Sequence, residues 1–105
     1  MRLISQDGKI DIPYENNVIY IQAIYGYNKE KKCHDVTGYK IITPIGDDTW
    51  NLGEYSNEVK ALCVMEMLHQ QYMRHLATVL ADKKAGTAYF KFPTDINKDE
   101  QLKGE

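Results

Sequence analysis

SNEVKALCVMEMLHQQYMRHLATVL, residues 56–80, decides the fold class. Leu62, Met65, Leu68, Tyr72, Leu76 and Val79 recur every three or four positions, the spacing of one face of a helix, and Val59, Met73 and Leu80 widen the stripe. Ser56 offers an N-cap oxygen to a helix starting at Asn57, and Glu58 suits the positive end of the dipole. Lys83 and Lys84 suit the negative end, and Ala85-Gly86 is a stop signal. About 24 helical residues would span roughly 36 Å. One short sheet cannot cover that length, so the last turns should project or pack elsewhere.

Upstream, the chain reads as strands. In MRLISQDGKIDIPYE, residues 1–15, Asp7-Gly8 separates two short runs with branched apolar residues, which predicts a hairpin with a type I′ turn. A two-residue loop sets Leu3 opposite Ile12 and Ile4 opposite Asp11, with Leu3, Ser5, Ile10 and Ile12 facing inward. Pro13 removes a ladder donor and should end the second strand or hold it at an edge. Residues 18–27, VIYIQAIYGY, carry no charge and are the best candidate for a central strand with both faces at least partly covered. The charged run 28–38 reads as a solvated connection. Residues 39–45 and 49–55 form a second hairpin around Gly46-Asp47-Asp48. A final strand, 87–92, stops at Pro93. The expectation is α+β: an antiparallel sheet of about five to six strands packed against one long amphipathic helix, as a single domain over 1–93 with a polar tail at 94–105.

Composition excludes little else. The chain has 105 residues, 43% hydrophobic and 27% charged, which is ordinary for one globular domain. A net charge of −2 gives no global attraction to nucleic acid or an anionic membrane. No apolar run approaches the roughly 18 residues of a membrane span, and residues 1–8 lack a secretory leader, so a cytoplasmic protein without membrane contact is expected. Cys33 and Cys63 read as free thiols. With His34, His69 and His75 they could supply zinc ligands, but no C-x2-C or H-x3-H spacing is present, and His69 and His75 lie about 240° apart around a helix. Neither metal nor cofactor is expected. No nucleophile elbow, phosphate loop, H-E-x-x-H or dinucleotide motif occurs. Asp47, Asp48 and Glu54 read as turn carboxylates, and Cys33-His34 as loop neighbours that do not face each other.

Two surfaces remain as candidates. If the odd positions of strand 18–27 pack under the helix, Tyr20, Gln22 and Ile24 look outward, and Ile4 extends the same apolar patch. Eight tyrosines favour such half-buried sheets and interfaces. Lys29, Lys31, Lys32 and Lys40 form a basic cluster interleaved with Tyr25, Tyr27 and Tyr39, the arrangement that single-stranded nucleic-acid binding requires.

The opening MRLISQDGKIDIPYE, the LGEYSNEVKA segment leading into the helix, and Phe90, Phe92 and Pro93 together resemble a family of short uncharacterised proteins of Gram-positive bacteria and their prophages. The resemblance covers both ends and the strand-to-helix junction. It implies a small α+β, cytoplasmic or phage-encoded protein, with no catalytic residues to carry over. The resemblance selects no function; because the covered-looking strand faces exceed what one helix can bury, the first reading is a non-enzymatic protein-interaction module, a homodimer or a binder of another protein. A nucleic-acid-binding accessory protein using the lysine-rich loop comes second, and an enzyme of unknown type third.

Overall fold

The computed structural model describes residues 1–81 and 88–95. Among these described residues, six strands and one helix follow in the order β1 (Arg2–Ile4), β2 (Asp11–Pro13), β3 (Tyr20–Asn28), β4 (Cys33–Ile45), β5 (Asp48–Tyr55), α1 (Glu58–Leu80) and β6 (Tyr89–Lys91). The α+β class and the strands-before-helix order agree with the sequence.

The strands form two sheets of three rather than the expected single sheet, ordered β2-β1-β6 and β3-β4-β5. Nor is the pairing wholly antiparallel, because β6 runs parallel to β1, with Leu3 opposite Phe90. A parallel neighbour requires a long crossover, and nearly the whole chain lies between these two strands. The sheets stay separate because β1 is only three residues long and meets β5 through one residue. Gln6 donates its backbone N–H to Leu52 O at 2.8 Å. Its side-chain amide then imitates a further peptide group: Oε1 accepts Glu54 N–H at 2.9 Å, while Nε2 donates to Glu54 O at 3.1 Å and to Pro93 O at 2.8 Å. Gly53 permits this approach, since a Cβ there would stand 3.0 Å from the Tyr55 hydroxyl and 3.2 Å from the Gln6 amide carbon.

The first hairpin has the expected register, Leu3 opposite Ile12 and Ile4 opposite Asp11, and Leu3, Ser5 and Ile12 are buried. Its turn is not type I′. Only Gly8 is left-handed, at φ 76°, and its N–H donates to Ser5 O at 2.9 Å. The Asp7 carboxylate accepts the Ser5 hydroxyl and Lys9 N–H, contacts that hold the turn and its negative φ.

The largest departure concerns residues 28–38. They form no open connection; β3 and β4 pair continuously out to Asn28 opposite Cys33. Lysines concealed the strand, although Val36 and Thr37 supply β-branched residues within it. The tip folds because Asn28 Oδ1 accepts both Glu30 N–H and Lys31 N–H.

The helix caps one residue later than expected. Asn57, with extended backbone, accepts Lys60 N–H at 2.9 Å, and Ser56 instead accepts the Lys60 ammonium. The expected stop at Ala85-Gly86 lies outside the described residues. The buried face is also rotated. Ala61, Val64 and Leu68 pack into the core beside Leu3, Ile41, Leu52, Tyr55, Phe90 and Phe92, whereas Leu62 is 52% exposed and Val59 68%. Small Ala61 admits the sheet closely, and Leu62 stands about 100° further around the axis. Met73, Val79 and Leu80 are exposed, so the last turns do run beyond the core.

Candidate protein and nucleic-acid interfaces

The inner face of the β3-β4-β5 sheet is set by Ile19, Ile21, Tyr39 and Ile41, which pack on or within the core. Alternation therefore sends Tyr20, Gln22 and Ile24 to the outer face. Tyr20 and Gln22 are exposed there; Ile24 is half-buried and lies 3.8 Å from where a Gly38 Cβ would stand. The structure thus brings three of the four expected contact residues onto one strand face. Ile4 is not among them, because it belongs to the other sheet, opposite Asp11 and Lys91.

Strand β3 is also an edge. Its partner is β4, and among the described residues no backbone hydrogen bond joins Tyr20–Asn28 to anything else. Edges of this length are normally protected by a charge or a proline, and neither occurs between residues 18 and 27. Sequence reasoning missed the edge by reading this uncharged run as a central strand.

Strand β5 ends with Tyr55 opposite Tyr39, so residues 24–38 continue as a two-stranded arm. A register shift between Ile24 and Tyr25 leaves Thr37 as an extra residue. Such a bulge reverses the side-chain alternation of its strand. Consequently Val36 and His34 join Tyr25 and Tyr27 on the inner face, where the Tyr27 and His34 rings meet edge-to-face at 5.3 Å. Gly26 accommodates the bulge, for a Cβ there would stand 2.7 Å from the Thr37 methyl. Tyr25 is 65% exposed, Tyr27 57% and Val36 45%.

Lys29, Lys31 and Lys32 are exposed at the arm's tip, while Lys40 pairs with Gln22 and Glu54 on the outer face of the body. The expected basic cluster therefore divides, and Tyr39 is likewise drawn into the core rather than left beside the lysines.

Cys33 and His34 point to opposite strand faces, as neighbours in a strand must, and Cys33 Sγ lies 3.7 Å from Asp35 instead. Both cysteines are free and exposed. Among the described residues no three His, Cys, Asp or Glu side chains gather as a metal site. Asp47 and Asp48 are exposed at the β4-β5 turn, and Glu54 Oε1 is held by Asn51 Nδ2 at 2.7 Å. His69 lines an open cleft with Tyr14, Glu15, Met65 and Tyr72, in which the two tyrosine rings meet edge-to-face at 4.6 Å.

The perturbed titrations have structural causes. The hydrogen bond from the Met1 ammonium holds Glu15 below its ordinary value, and the Ser5 hydroxyl does the same for Asp7. Burial pushes Tyr55 up to about 12, and its hydroxyl donates to Pro93 O at 2.7 Å. Asp95, following β6, accepts Ser56 N–H and faces the Lys60 ammonium at 3.2 Å, tying that segment to the start of α1.

No helix among the described residues is long and apolar enough to cross a membrane. Comparison with protein-family models, curated proteins and solved structures returns no match.

Proposed function

We propose that the protein is a non-enzymatic interaction module that assembles on a second copy of itself through β3. The observation that carries this reading is the open, uncharged edge of a nine-residue strand with Tyr20, Gln22 and Ile24 beside it on the outer face. An unpaired edge presents a row of N–H and C=O groups suited to another strand. A two-fold axis beside β3 would set two copies antiparallel, the stronger ladder, and join both three-stranded sheets into one of six strands. Tyr20 and Ile24 would then lie next to the junction, where cross-strand apolar pairs contribute about 0.2–1 kcal/mol each.

Sedimentation equilibrium tests the proposal. The parent should have twice the 12.1 kDa chain mass, and Tyr20→Lys with Ile24→Lys should give a folded monomer. A monomeric parent over the micromolar range refutes self-assembly, as does a double variant that remains a dimer.

A further inference from the structure

The arm carries a separate inference. Its inner face presents two exposed tyrosines, with a histidine and a valine paired across from them, where β5 no longer runs alongside β4. Positions 25 and 27 of one strand are about 6.8 Å apart. That is twice the base-to-base rise of about 3.4 Å, leaving room for one base plane between the two rings. Lys29, Lys31 and Lys32 surround the adjoining tip. Over the arm, residues 24–38, three lysines against Glu30 and Asp35 leave +1; with −2 overall, the remainder of the chain carries −3. Asp35 pairs across from Gly26, on the face opposite the tyrosines, where it is engaged by Asn28 Nδ2 at 2.8 Å and faces the Lys31 ammonium at 3.9 Å.

We propose that this inner face binds single-stranded nucleic acid, with Tyr25 and Tyr27 stacking on bases and Lys29 and Lys32 contacting phosphates. Unpaired bases fit the site because only they expose a ring face to an aromatic side chain, and every base has one, so the contact tolerates sequence. The acidic remainder of the chain confines the polyanion to the arm. Lys40, on the outer face of the body, takes no part.

Fluorescence anisotropy with labelled oligothymidine, in the full chain, tests this. Tyr25→Ala and Tyr27→Ala should each weaken binding at least about fivefold with unchanged circular dichroism and thermal midpoint. Lys29→Gln and Lys32→Gln together should reduce the slope of log affinity against log salt by about 1.4. Lys40→Gln should leave affinity within about twofold of the parent. The proposal is overturned by absence of binding at low salt, by equal affinity for a blunt duplex, or by tyrosine variants that bind as the parent does. Competition by polyglutamate as effective as that by unlabelled oligothymidine would also overturn it, marking a general polyanion surface.

Discussion

Residues 61–72 of the helix and residues 24–38 of the arm both carry apolar side chains at regular intervals, yet one segment is covered and the other is not. Leu68 is 2% exposed, and Tyr25, on an equally well-formed element, is 65% exposed. The difference comes from what lies alongside. The helix is flanked by β4 and β5, with Phe90 and Phe92 of the C-terminal segment in the same core. The arm loses its third strand where β5 ends opposite Tyr39. Secondary structure formed by local pairing therefore extends further than the core does, and the excess leaves apolar side chains exposed.

The strongest way to break this contrast is to empty the covered side. Leu68→Ala should cost about 2–5 kcal/mol in urea unfolding, whereas Leu62→Ala should cost about 0.5 kcal/mol or less. Equal costs would mean that the helix presents a different face. Next comes the joint between the sheets. Gln6→Ala removes the amide partner of the exposed Glu54 backbone and of the part-buried Pro93 carbonyl, and should cost about 0.5–1.5 kcal/mol. A change below about 0.5 kcal/mol would show that the sheets hold together without it.

The smallest effect is that of acid. Glu15 and Asp7 have folded pKa values below their ordinary 4.5 and 3.8, so the stability they contribute is complete above those values. It is lost as pH falls through the lowered, folded values. The thermal midpoint should accordingly fall below about pH 4.5, and less steeply in Glu15→Gln. An unchanged acid limb in that variant would remove the Met1 contact from the account.

Local patterns were legible where neighbouring residues settle them. Asp7-Gly8 specified the hairpin register through Leu3 and Ile12, and the 3.6-residue period located the helix. Long-range partners were not legible. Nothing near Tyr89 states that β6 will lie parallel to β1, and nothing near Gln6 states that its amide will act as a peptide group for Glu54. Helix periodicity identifies a stripe but leaves its centre free, so Leu62 was placed inward when Ala61 occupies that position. Of the candidate surfaces, Tyr20, Gln22 and Ile24 were readable from strand alternation. His34 and Val36 were hidden by the bulge at Thr37, which inverts that alternation, although the β-branched pair Val36-Thr37 within a lysine-rich run was a usable sign of strand.

The central claim, that the open edge of β3 pairs with a second copy, is tested most directly by amide hydrogen exchange along Tyr20–Asn28. In a lone edge strand only alternate N–H groups are bonded to β4, so alternate amides exchange fast. The account predicts that the outward-pointing amides become protected as protein concentration rises, until protection is continuous along the strand. Fast exchange at alternate positions at every concentration would contradict it.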